Sequence, residues 1–363
     1  MSRIFVLSPI LGNLVSFREE LILKLVQSKH EVTVVCSYNN EHKPFSDAGV
    51  RYVKIEMDRR GANPLNELKL CKDYYILLKK EKPDVVLTYT TKCSIYGGIV
   101  CRMLNIPCII NNSGLIDPNR IGKGFGAVVK ILYKLGFSRA ACMMYQNKSE
   151  QEVLNGLLKN KVRHVLLPGS GVNLQRFKQL DYPSEMETNF LMICRIQKEK
   201  GIEEYLYAAS KLKPLYPNAN FWILGGYEED YKKQVNKLVQ DGVVSYYEPV
   251  KNVIPYIEKS HCVVNPSYHE GMSNVLLEAS ASGRPSIASD CPGCNDIVKN
   301  ESNGFLVKVA DANDLKEKME SFINLPYSQK KVMGEKGRAF VEKNFDRQIV
   351  IEAYISEINR ILN

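Results

Sequence analysis

The chain has 363 residues, of which 45% are hydrophobic and 25% charged, and its formal net charge is +9. That length fits two domains of ordinary size, and that composition excludes an intrinsically disordered, collagen-like or low-complexity protein. The charge is uneven: residues 1–172 carry 25 Lys and Arg against 14 Asp and Glu, a net +11, while residues 173–363 carry 24 against 26, a net −2. A basic first half attracts phosphates, whether of nucleic acid, anionic lipid or a charged ligand.

The apolar run after Arg3 in "MSRIFVLSPILGNLVSFREEL" spans only about ten residues, offers no small-residue cleavage site and leads into a charged helical segment, as a buried first strand does and a signal peptide does not. No stretch approaches the roughly 20 apolar residues that span a bilayer, so residence in the cytoplasm is expected. "RIFVLSPI", "FREELILKLVQSK" and "EVTVVCSY" then read as strand, helix and strand, with Gly12 and Asn13 between the first two. This junction resembles a stripped phosphate loop, yet G-x-G-x-x-G and a Walker lysine are missing, which argues against a dinucleotide or ATP site. Strands are expected at "DVVLTYT" and "PCIINN", with a helix in "SIYGGIVCRMLN" between them. The polar, Gly- and Pro-bearing segment Gly169 to Glu187 reads as a linker.

Beyond it the alternation restarts. "NFLMICRI", "NFWILGG", "VSYYEPV", "HCVVNPS" and "RPSIASD" read as strands, with helices between them and a final "DANDLKEKMESFINL" helix that has acidic residues in its first turn. The expected fold class is α/β, two Rossmann-like domains of parallel strands facing each other across a cleft. The boundaries read as 1–172, 173–345 and a C-terminal helix over 346–363 that packs back on the first domain.

The ten cysteines lie mostly in apolar runs and read as reduced core thiols. Cys291 and Cys294 form a lone C-x-x-C that reads as a loop turn, because neither a second Cys pair nor the five histidines complete a zinc set.

Two constellations carry chemistry. In "SYHEGMSNVLLEASASGRP" a strand exit leads through Glu270, Gly271 and Met272 to a helix whose N-cap is Ser273 or Asn274. Free amides and the positive dipole end at that start make an anion site, and Gly271 lets the backbone approach a ligand. Glu270 and Glu278 could serve as an acid/base pair, or hold vicinal hydroxyls of a sugar or ribose; Glu278, set in V-L-L-E-A, needs a partner in either case. In "CRIQKEKGIEEYL", Arg195 follows a strand and Lys200 precedes Gly201, a cationic pair suited to a diphosphate.

Together these residues resemble the family 4 retaining glycosyltransferases of GT-B type. "EGMSNVLLEASASGRP" resembles the E-x7-E signature, "RIQKEKGIEEYL" the R-x4-K-G segment and "GSGVNLQRF" the linker of that family. "RRGANPLNEL", "KPDVVLTYTTKCSIYGGI", "NNSGL" and "YQNKSE" resemble bacterial enzymes that build O-antigen, capsule or glycoprotein oligosaccharides on undecaprenyl diphosphate, some of which transfer N-acetylgalactosamine. The resemblance implies that Arg195 and Lys200 hold the diphosphate of a UDP-sugar donor. Glu278 would bind its ribose, Glu270 would meet its sugar, and the amides of Gly271, Met272, Ser273 and Asn274 would cradle sugar and phosphate. No metal or other cofactor is expected.

The resemblance also implies a polyprenyl diphosphate-linked acceptor on the first domain, beside Asn112 and Ser113, where many members place a histidine. It gives the basic half a use at the anionic inner face of the cytoplasmic membrane. "GKGFGAVVKILYKLGFSRAA", with Lys123, Lys130, Lys134 and Arg139, is the expected docking helix, against the competing reading of a core helix with snorkelling lysines. Two other classes compete with the transferase: a GT-B epimerase acting on a UDP-sugar, and a basic nucleic-acid binder. The second lacks aromatic residues interleaved at base-stacking spacing, so no nucleic-acid partner is expected.

Overall fold

The computed structural model describes residues 1–37, 43–57, 63–112, 118, 122–158 and 162–363. They form two compact units, one of Met1–Ser170 with Gln348–Asn363 and the other of Gly171–Arg347.

The first unit runs β1 (Arg3–Ile10), α1 (Leu11–Phe17), α2 (Glu19–Gln27), β2 (Glu31–Ser37), β3 (Arg51–Lys54), α3 (Pro64–Glu81), β4 (Val85–Tyr89), α4 (Thr91–Leu104), β5 (Cys108–Asn112), α5 (Lys123–Phe137), β6 (Cys142–Tyr145), α6 (Lys148–Leu158) and β7 (His164–Leu166). Its seven strands are parallel in the order β3-β2-β1-β4-β5-β6-β7. β1 and β4 are buried almost throughout, as strands covered on both faces must be, which is why they read as unbroken apolar runs. Two corrections concern the start of the chain. α1 begins directly after β1, so Gly12 sits inside its first turn and not in a loop, and the helix expected from Phe17 starts instead at Glu19 as α2, after a break at Arg18. At α4 and α5 a Cβ on Gly98 would lie 2.3 Å from the Gly136 carbonyl oxygen, so two side-chain-free positions let the helices touch.

The second unit runs β8 (Thr188–Ile193), α7 (Ile202–Leu212), β9 (Ala219–Leu224), α8 (Lys232–Gln240), β10 (Ser245–Tyr247), α9 (Ile254–Lys259), β11 (Cys262–Asn265), α10 (Asn274–Ala281), β12 (Ser286–Ser289), β13 (Gly304–Val307), α11 (Ala312–Asn324) and α12 (Tyr327–Phe345). Its six parallel strands follow the order β10-β9-β8-β11-β12-β13. In both sheets the order reverses beside the first strand, so the topological switch point lies between β1 and β4 in one unit and between β8 and β11 in the other. Ligands in open α/β sheets bind outside the carboxyl ends of the strands at such points.

α13 (Arg347–Leu362) returns to the first unit, where Val350, Ile351, Tyr354 and Ile358 are buried in the core beside Leu11 and Leu14. Glu357 fixes it there, bound by the Arg163 guanidinium at 2.8 and 2.9 Å. All ten cysteines are free thiols. Among the described residues no helix is long and apolar enough to cross a membrane.

Candidate functional site

In the second unit the chemistry gathers on the exits of β8 and β11, the two strands that flank the switch point. The β8 exit carries Arg195, two residues past the strand, and then a 3-10 turn, Lys198–Lys200. Gly201 follows with φ +76°, and a Cβ there would lie 2.2 Å from the Pro266 carbonyl oxygen. Only glycine permits this approach, which presses the turn against the β11 exit; the Tyr268 amide donating to the Glu199 carbonyl at 2.9 Å holds it there.

The contact brings Lys200 to Glu270, Nζ to Oε1 at 2.6 Å, with both side chains about four-fifths buried. Arg195 is exposed on the same rim, and among the described residues its guanidinium makes no hydrogen bond or ion pair. The charges of Lys200, Glu270 and Arg195 all act on the thiol of half-buried Cys194, whose pKa desolvation pushes up to about 12.

Ser273 is the N-cap of α10: its hydroxyl accepts from the Leu276 amide, while Asn265 donates to it through Nδ2. The Ser273 amide is bound by the Gly293 carbonyl at 3.0 Å, and Gly293, at φ +80°, is closed into a turn by Asp296 Oδ2. The amides of Asn274 and Val275 lie where no earlier helical carbonyl can reach them, so the positive end of α10 points at the same rim. Met272 is buried below it and Gly271 half-buried.

Glu278 lies one turn further, half-buried. Burial raises its pKa to about 7, and only in part do the positive charges of Arg176 and Arg347 oppose the rise. Among the described residues no hydrogen bond reaches its carboxylate. The two glutamates therefore have separate environments, Glu270 tied to Lys200 and Glu278 opposite two arginines, and they do not share a proton. Arg176 and Arg347 escape the sequence reading because they stand 102 residues before and 69 after Glu278. The Asn173 side chain caps the turn that carries Arg176, accepting from the Gln175 and Arg176 amides, and this was the one local signal available.

The structure thus assembles Lys200, Glu270, Gly271, Met272, Ser273, Asn274 and Glu278 on two adjoining strand exits, with Arg195 beside them. Gly12 belongs to the other unit, with open space around it at the first turn of α1. Asn112 ends β5, and Ser113 lies outside the described residues. Lys123 opens α5; Lys130 is half-buried on it, Lys134 is exposed, and Arg139 is exposed just beyond its end.

Comparison with known proteins matches each unit in turn. A family model described as "Glycosyl transferase 4-like" covers residues 11–147, and one described as "Glycosyl transferases group 1" covers residues 176–340. At 27% identity, with 99% of each chain covered, the sequence is similar to an N,N'-diacetylbacillosaminyl-diphospho-undecaprenol alpha-1,3-N-acetylgalactosaminyltransferase of Campylobacter jejuni. It is 25% identical to a UDP-Gal:alpha-D-GlcNAc-diphosphoundecaprenol alpha-1,3-galactosyltransferase of Escherichia coli, over 90% of this chain and 86% of the relative. In structure it is similar to a glycosyltransferase of Rickettsia africae, with TM-score 0.82, 19% identity and 100% and 99% of the two chains covered. It is also similar to Anabaena HepE in complex with UDP, with TM-score 0.78, 15% identity and 99% and 100% covered. The two parallel sheets and the paired family matches lead to one conclusion: the chain belongs to the GT-B glycosyltransferases, with a 4-like first domain and a group 1 second domain.

Proposed function

We propose that the protein is a retaining transferase that moves a sugar, N-acetylgalactosamine first among the candidates, from a UDP donor to a polyprenyl diphosphate-linked saccharide in cell-surface polysaccharide assembly. The observation that carries this reading is the Lys200–Glu270 pair beside the open N-terminus of α10 and the half-buried Glu278, all at the switch point of the second unit. The two relatives named above, which act on diphospho-undecaprenol sugars according to their names, support the acceptor class.

In this mechanism Arg195, Lys200 and the first amides of α10 take the donor diphosphate. Lys200 has three N–H donors and gives one to Glu270, so its ammonium is oriented before a ligand arrives. Negative charge grows on the diphosphate as the bond from the sugar's anomeric carbon to the leaving oxygen breaks, and these groups stabilise it without reorganising. Glu278 accepts from ribose hydroxyls, and Glu270 meets the transferred sugar. The acceptor hydroxyl attacks from the face that the diphosphate leaves, and a leaving-group oxygen takes its proton. Neither glutamate then has to act as a base, and no metal or other cofactor is needed.

The reading also places the first unit at the inner face of an anionic membrane. α5 supports this: it buries Val129, Tyr133 and Phe137 and exposes Phe125, Val128, Ile131 and Leu135, with Lys134 and Arg139 exposed alongside. A core helix with snorkelling lysines would not leave four large apolar side chains outside.

The test is incubation with a panel of UDP-sugars and a short-chain polyprenyl diphosphate monosaccharide, followed by mass spectrometry. One sugar added to the acceptor is expected. Conversion of a UDP-sugar without any acceptor would instead favour an epimerase.

A further inference from the structure

The first unit holds a second polar pocket, of about 200 Å3, lined by residues that follow β3 and by the first turns of α3 and α4. It lies outside the carboxyl ends of the strands, where ligands of α/β sheets bind. On its wall Lys92 Nζ donates to Glu67 Oε1 at 2.6 Å, and the two side chains are only 18% and 12% exposed. Among the described residues the other carboxylate oxygen, Oε2, is buried and meets no donor at hydrogen-bonding geometry. The Tyr96 hydroxyl is held well above the usual phenol range, first by burial and then by the Glu67 carboxylate beside it. Leu70, buried, and Met57, half-buried, supply apolar surface, while Asn66 and Lys69 are exposed at the rim. Thr90, two residues before Lys92, has φ +71°, an uncommon conformation for a β-branched residue.

A buried carboxylate with one oxygen bound to an ammonium and the other lacking a donor is incomplete as a structural tie. It is complete when a hydroxyl enters. A neutral ring with adjacent hydroxyls donates one hydrogen bond to Glu67 and accepts one from Lys92, while its C–H face lies on Met57 and Leu70. A phosphate does not fit this wall, because the carboxylate repels it. The volume is below the ~300–1,000 Å3 of drug-sized sites and suits a single ring better than a chain.

We infer that the pocket of Glu67 and Lys92 binds a sugar ring of the acceptor. The inference rests on the transferase reading, and it adds the residues that recognise the acceptor and the neutral, hydroxylated character of the group they hold.

Two measurements test it. In the first, the short-chain polyprenyl diphosphate monosaccharide is the variable substrate for wild type, Glu67→Gln and Lys92→Met. The acceptor KM is expected to rise about tenfold or more, with donor KM and acceptor-independent donor hydrolysis unchanged within about twofold. A lower Tm with an unchanged acceptor KM would show a structural tie between α3 and α4 and overturn the inference. If either variant fails to fold, the exposed rim pair Asn66→Ala and Lys69→Ala takes its place, and an unchanged acceptor KM there is equally fatal. In the second, binding of a panel of methyl glycosides is followed by saturation-transfer NMR. Binding to wild type and its loss in Glu67→Gln is expected, and no binding to wild type overturns the pocket. Glycoside binding by a wild type that transfers no sugar would keep the pocket and sink the transferase reading, so the two failures are distinguishable.

Discussion

Glu278 is the residue whose environment makes the sharpest claim. Its carboxyl titrates near 7 when folded, against an ordinary value of 4.5, because burial outweighs the two arginines. A raised acid costs the folded state stability once the unfolded chain is ionised: the cost is absent below about 4.5, grows as pH rises and is complete above about 7. Glu278→Gln removes it, so thermal melts should show the variant stabler than wild type by about 1–3 kcal/mol at pH 8 and nearly equal at pH 4.5. A difference that does not change with pH would contradict this environment. Under the proposed ribose contact, the same substitution should also weaken donor binding. Lys200→Ala and Glu278→Ala should each lower turnover by about 100-fold or more in steady-state assays, and near wild-type rates in either would count against the site. Glu270, Glu278 and Lys200 were legible in the sequence because they sit at fixed distances from glycines and apolar runs. That Glu270 pairs with Lys200, 70 residues away, and that Arg176 and Arg347 face Glu278 were not, since only the folded sheet brings these segments together.

Among the elements, the strand exits of the second unit depend on one backbone position. Gly201→Ala puts a Cβ against the Pro266 carbonyl and forces a positive φ on alanine, so a loss of at least ~2 kcal/mol in denaturant melts is expected, with a larger loss of donor affinity. Wild-type affinity in a folded Gly201→Ala protein would show that the β8 and β11 exits act separately. α5 makes the second prediction. Replacing Lys130, Lys134 and Arg139 with Gln should reduce sedimentation with anionic vesicles and leave neutral vesicles unaffected; unchanged sedimentation would remove the docking role. Sequence periodicity found β1, β2, β4, β5, β8 to β12 and α4, since parallel strands buried on both faces stand out, and it passed over β3, β6, β7 and β13, each only three or four residues long. It passed over α3, although Asn63 caps that helix through its side chain and Pro64 occupies its first position, a signal readable in "GANPLNEL". It also missed α1, because Gly12 and Asn13 read as a loop between β1 and the helix that follows.

For the whole molecule, the order of two similar sheets was readable from the repeated alternation of strands and helices, whereas the side on which each ligand binds follows from strand order, which no local pattern contains. The C-terminal helix shows the difference. α13 follows the second unit in the chain, yet Tyr354 and Ile358 are fully buried in the core of the first. Tyr354→Ala should therefore destabilise the first unit by about 3 kcal/mol or more, visible as earlier loss of hydrogen-exchange protection in β1, β4 and β5. The central claim, that a nucleoside diphosphate binds between the β8 and β11 exits, is tested most directly by hydrogen exchange of the wild-type protein with and without UDP. Protection should appear in residues 194–202 and 266–278 and should vanish in Lys200→Ala. Protection confined to the first unit, or none at saturating UDP, would contradict the account.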